Sequence, residues 1–221
     1  DAEVVTIMPS GVSPHDFQAS ARQARDMRTA DLLIVNGAGF EEGLVDTIEA
    51  AEADGVPVHE AIDGVDTLEV GEGGHDHDHA DEGEGEDHDH EGESDDHADE
   101  GDHDHDHDDA DHDHVHTGVD PHFFTDPVRT AQAVEGIAAA LVESAPELDT
   151  PEHRERVDDL LASLADLDDE VASILDVVDD DDRVLVTNHG SLAYFADRYD
   201  FEVVGTVIPA TSTSDAAVAT S

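Results

Sequence analysis

The 221-residue chain carries 60 Asp and Glu against eight Arg, with no Lys and no Cys, for a formal charge of −52. The missing Cys excludes disulfides and thiolate metal sites, and the acidic field excludes DNA, RNA and anionic lipid, whose phosphates need Lys and Arg. Apolar runs such as Asp31 to Val35 and Val203 to Ile208 are far too short to cross a bilayer.

Of the acidic residues, 21 lie within 75–116, so the remaining 39 still face only eight Arg. Self-repulsion of this size needs salt to screen it, and the absence of Lys fits the carboxylate surface of a halophile's protein.

In chain order, Val4 to Met8 is a β-branched run closed by Pro9, Ser10 and Gly11, which predicts a strand and turn. A helix is expected around Ser20 to Thr29, a second strand over Asp31 to Val35 ended by Asn36-Gly37, a helix over 40–53 and a third strand over Val56 to His59. Strands alternating with helices imply an α/β fold built on a mostly parallel sheet.

From 71 to about 117 this pattern stops, and the segment is almost devoid of apolar residues. It is expected to be disordered without metal, because it has no apolar surface to bury against its ordering entropy. Within it lie His75, His77, His79, His88, His90, His97, His103, His105, His107, His112, His114 and His116, interleaved with Asp and Glu. Imidazole suits zinc, copper and nickel, and carboxylates add harder oxygens. An acidic linker would account for the Asp and Glu but not for 12 His in 42 residues. The tract is expected to bind several ions weakly.

Order is predicted to resume at Gly118. Asp126-Pro127 is an N-cap followed by a first helical position, opening a helix to about Val142. Thr150-Pro151 repeats the signal, and Val157, Leu160, Leu161, Leu164, Leu167, Val171, Ile174, Leu175 and Val178 form one helical stripe over roughly 27 residues, long enough to bridge two lobes. After the acidic turn Asp179–Asp182, RVLVTNHG reads as a strand, Ser191 to Arg198 as a helix and FEVVGTVI as another strand.

Five His lie outside the tract. His59, at a short strand end, and His153, in an exposed first turn, are read as structural. His15, His122 and His189 each follow or end a strand or precede a helix start. In open α/β sheets such loops converge beyond the carboxyl ends of the strands, where three imidazoles would make most of a zinc site and leave a fourth position for a carboxylate or water.

Three segments then carry a family resemblance: GVSPHDFQASARQARDMRTADLLIVNGAGFEE, DPHFFTDPVRTAQAVEGIAAAL and VLVTNHGSLAYFADRYDFEVVG. In this order they resemble the zinc/manganese solute-binding proteins of metal ABC importers, the ZnuA/TroA or adhesin-type lipoprotein family. The resemblance implies two α/β lobes, each with a mostly parallel sheet flanked by helices, joined by a long spine helix. The chain then divides into an N-terminal lobe over 1–70, the His/Asp/Glu-rich loop over 71–117, the rest of that lobe over 118–150, the linking helix over 151–178 and the start of an incomplete C-terminal lobe over 179–221. The chain is read as trimmed at both ends.

Matched residue by residue, the resemblance places metal ligands on His15, His122 and His189, with the fourth expected beyond residue 221. Phe123-Phe124-Thr125 stands where the family has a Trp-containing triplet, a change expected to affect packing only. The His-rich insertion is similar to that of the family's zinc branch, so Zn2+ is the expected cargo, with Mn2+ and other divalent ions as alternatives. The family further implies an extracytoplasmic protein, in the periplasm or on the outer face of the cell membrane, monomeric, membrane-tethered in its full-length form, and partnered by the membrane permease of a metal ABC importer. No catalytic residue is expected. Two rival readings are a zinc buffer or storage protein acting through the tract, and a zinc hydrolase with Asp16 as its base, for which no HExxH-like pairing exists.

Overall fold

The structure, a computed structural model, describes residues 3–14, 16–69 and 118–206. His15, the twelve His of the tract and residues 207–221 lie outside the described residues, as does the disorder expected for 71–117.

The first helix, α1 (Ala21–Met27), is set by a full capping box: the Ser20 side chain accepts from Gln23 N, and the Gln23 side chain accepts from Ser20 N, so two orphan donors are satisfied locally. The strand β1 (Leu33–Val35) follows, then a 3-10 turn, Glu42–Leu44, and α2 (Val45–Ala53). Gly55, at φ 93°, ends α2: its N–H bonds to Glu52 O at 2.8 Å and Val56 N bonds to Ala51 O at 3.1 Å. That pair of bonds is a Schellman cap, and it needs a residue that tolerates positive φ. It turns the chain straight into β2 (Val58–Glu60), which pairs in parallel with β1, Leu33 opposite Val58. Met27, Leu33, Ala51 and Val56 bury together between the helices and this sheet.

The strand expected over Val4 to Met8 is absent. Val4 is 86 % exposed, and no described strand lies beside this segment to take its backbone groups. A β-branched run without a ladder partner stays irregular.

Beyond residue 117 the two proline start signals act as expected. The Asp126 carboxylate caps α3 (Pro127–Ser144) by accepting from Val128 N and Arg129 N, and Thr150 caps α4 (Pro151–Leu175) by accepting from His153 N. α3 and α4 pack on one another. α4 nonetheless has no buried residue, and Leu160, Leu167 and Ile174 on its stripe remain exposed. The strands β3 (Val184–Thr187) and β4 (Glu202–Thr206) form a second two-stranded parallel sheet around α5 (Ala193–Arg198), with a register shift between Leu185 and Val186. The architecture is thus mixed α/β, with two small parallel sheets and a 25-residue helix between them in sequence. No described helix is long and apolar enough to cross a membrane.

α5 is tied to α4 by Asp168, which accepts from Arg198 and, at 3.0 Å, from the Tyr199 hydroxyl. Burial and this carboxylate push the Tyr199 phenol up to about 12, and burial also raises Tyr194. With no Lys in the chain, these two phenols dominate side-chain titration above about pH 10. Each is held neutral in the folded state, so its contribution is complete below about pH 10 and is lost as pH rises, for Tyr199 towards 12. Unfolding measured from about pH 9 to 12 is expected to show a steeper loss for the wild type than for Tyr199→Phe; parallel curves would refute this assignment.

Candidate metal centre

The site forms where the ends of β1 and β3 meet the loop that opens α3. After β1 the chain turns through Gly37, Ala38 and Gly39, all with positive φ. The Glu41 carboxylate holds this turn by accepting from Asn36 N at 2.6 Å and Gly37 N at 3.4 Å, and burial raises its pKa despite those donors. A side chain at Gly37 would collide with those of Glu60 and Ile62, so the close approach of β2 requires glycine here. Asn36 Nδ2 then donates to Pro121 O at 2.9 Å, fixing the loop that carries His122 against the end of β1.

His122 is buried. Asp120, also buried, accepts from the His122 backbone N–H at 2.9 Å and pairs with its Nδ1 at 2.7 Å. A carboxylate on one ring nitrogen of a metal-binding His fixes the tautomer and aims the other nitrogen outward. Here that other nitrogen, Nε2, is shielded from solvent, as is Nδ1 of His189. His189 sits at the end of β3 in a turn closed by Ser191 N and the Thr187 hydroxyl, both donating to its carbonyl at 2.9 Å. The two rings lie edge to face with centroids 5.2 Å apart. Two imidazoles sharing one tetrahedral zinc, with Zn–N bonds of about 2.0–2.1 Å, have their ring centres roughly 5 Å apart. The spacing therefore suits a shared ion.

Two of the three expected ligands are brought together, and the third, His15, lies outside the described residues. Among the described residues no group of three His, Cys, Asp or Glu forms a metal site. The Phe17 carbonyl lies against Gly43, and Phe40 sets its ring 5.7 Å from that of His122. His59 lies in β2 with Nε2 shielded and close to Gly136 of α3, and His153 donates its backbone N–H to Thr150, in keeping with structural roles for both.

Three neighbours escaped sequence reasoning as site residues. Asp120, two residues before His122, was legible as a Asp-x-His spacing with carboxylate reach. Asn36 and Tyr194 act across 85 and 74 positions of sequence and left no local signal. Within the Phe123-Phe124-Thr125 triplet, Phe123 is buried in the core, whereas Phe124 is 45 % exposed with its ring 5.9 Å from that of His122.

Residues 1–220 match the family model described as zinc-uptake complex component A, periplasmic. The manganese-binding lipoprotein MntA of Halalkalibacterium halodurans is 24 % identical over 205 residues, covering 92 % of this chain and 53 % of that protein. The metal-binding protein YtgA of Chlamydia trachomatis is 34 % identical over 80 residues, 36 % of this chain and 24 % of that protein. The chain thus spans about half, or less, of the length of these curated relatives. Among solved structures, the periplasmic zinc-binding protein TroA from Treponema pallidum superposes with a TM-score of 0.65 at 21 % identity, over 94 % of this chain and 61 % of that one.

Proposed function

The chain belongs to the family of periplasmic zinc-uptake components, and from that premise we propose that it is an extracytoplasmic receptor that captures Zn2+ and hands it to the permease of an ABC importer. The observation that carries this reading is the His122–His189 pair, with ring centroids 5.2 Å apart and Asp120 clamped behind His122. His15 completes the ligand set, and the fourth position is left to a carboxylate or water. Three imidazoles favour zinc over manganese, which prefers more oxygen.

In this reading, residues 1–70 and 118–150 make the first lobe, α4 (Pro151–Leu175) is a rigid spine within the linking segment 151–178, and 179–221 begin the second lobe. His15 and His122 come from the first lobe and His189 from the second, so binding and release proceed through modest shifts rather than wide hinge closure. The tract over 71–117 gathers ions for the site. A hydrolase would need a base at the metal; Asp16, the one candidate, is exposed.

Deleting 71–116 separates the receptor from a zinc buffer. Titration of the shortened chain with Zn2+ against a competing chelator is expected to retain one tight site and lose the weak ones. A shortened chain without a tight site would instead make the tract the active part of the protein.

A further inference from the structure

Tyr194 is fully buried, and its hydroxyl ties α5, the helix that follows His189, to the loop that carries His122. It donates to the backbone carbonyl of Asp120 at 2.6 Å and accepts from Leu68 N at 3.1 Å. Asp120 in turn grips His122 through its carboxylate at two points. On its own side Tyr194 belongs to α5, which begins four residues after His189. The Arg129 guanidinium lies over its ring, 5.0 Å from the centroid, and fixes the ring's plane.

We propose that Tyr194 is a positioning residue for metal binding: its hydroxyl locks the His122 loop to the helix that follows His189 and so sets the separation of the two imidazoles. The proposal rests on the reading of His122 and His189 as metal ligands. A buried Tyr needs a partner for its hydroxyl wherever it sits, and Tyr199, the C-cap of the same helix, satisfies that need with Asp168 of α4. Tyr194 differs in its choice of partner. Its acceptor is the residue that orients a ligand, so loss of the bond frees the ligand as well as the helix. A metal is released when one ligand swings away, and a loop held at Asp120 resists that swing. The hydroxyl is therefore expected to act mainly on the rate of release.

The test loads the full chain with one equivalent of Zn2+, adds an excess of a colorimetric chelator and follows release. Ions on the tract leave in a fast phase, and the tight site gives a slow one. His189→Ala is expected to remove the slow phase. Tyr194→Phe, which deletes a single hydroxyl, is expected to keep the slow phase but speed it by about tenfold, the lower end of what losing an outer-shell partner does to metal affinity. Tyr199→Phe, the matched loss on the same helix, is expected to release at the wild-type rate. If Tyr194→Phe releases like wild type, or Tyr199→Phe speeds release equally, the proposal is overturned while the ligand assignment stands. A slow phase that survives His189→Ala overturns the ligand assignment itself. Should Tyr194→Phe fail to fold, Tyr199→Phe leaves Tyr194 as the only tyrosine in a chain without Trp. Its emission is then expected to change with the first equivalent of Zn2+, and an unchanged emission overturns the proposal.

Discussion

A His122→Ala/His189→Ala double variant is expected to lose the tight zinc site outright while the chain keeps its weak, multiple binding. Losing even a supporting group around a metal costs roughly 10–100-fold in affinity, and removing two first-rank ligands must exceed that. The effect is amplified by preorganisation. Asp120 already holds the His122 ring by Nδ1, and the two rings already stand 5.2 Å apart, so less ordering is left to be met at this pair when the ion arrives. The tract has the opposite character. Its 12 His lie among 21 carboxylates, so many alternative ligand sets of mixed imidazole and carboxylate compete for each ion. Competition titration at substoichiometric zinc should therefore show the first equivalent bound tightly in the wild type and only weakly in the double variant. Equal affinity for the first equivalent in both proteins would remove His122 and His189 from the site.

How much of this was legible in the sequence depended on how local the cause was. Asp126 and Thr150 cap their helices within three residues of themselves, so Asp-Pro and Thr-Pro located α3 and α4 almost to the residue. The expected helix to Val178 stops at Leu175. The stripe along α4 was also visible, but a stripe states only which face is apolar; α3 covers part of it, and Leu160, Leu167 and Ile174 stay exposed. Val4 to Met8 failed for the same reason in another form. Its composition suits a strand, but a strand exists only beside a partner. At the candidate site, His122 and His189 could be proposed from the sequence because strand ends and helix starts are local marks. The bonds that hold them could not, since Asn36 reaches Pro121 and Tyr194 reaches Asp120 only after the chain has folded back. Tyr194 and Phe195, adjacent and alike in sequence, part company for that reason: Phe195 packs on Tyr199 and Phe201, while Tyr194 turns to the ligand loop.

Replacing Arg129 by Ala is expected to be the most damaging single change to stability among the eight Arg. Its guanidinium donates to Asp126 Oδ2 at 2.7 Å, to Asp197 Oδ2 at 2.8 Å and to the Asp66 carbonyl at 2.7 Å, so one side chain joins α3, α5 and the segment after β2. The Asp126 side chain is only 2 % exposed and that of Arg129 15 %. Truncation would strand a buried carboxylate, for which a cost of about 3–5 kcal/mol is usual. The lower figure applies here, because Asp126 keeps the N–H donors of Val128 and Arg129 as a helix cap. A loss of about 3 kcal/mol is a large share of a typical 5–15 kcal/mol stability, and it lowers Tm by about 2–4 °C per kcal/mol in a chain of this size. Arg129→Lys is not expected to restore it, since a single ammonium cannot serve three acceptors in fork geometry. The control is Arg154, whose pair with Asp149 is exposed on both sides and should be worth less than about 1 kcal/mol. Thermal unfolding of Arg129→Ala, Arg129→Lys and Arg154→Ala side by side decides the matter. If Arg129→Ala melts with Arg154→Ala, the network is decoration and the junction between α3 and α5 must be held by the apolar contacts of Phe123, Ala133 and Tyr194 alone.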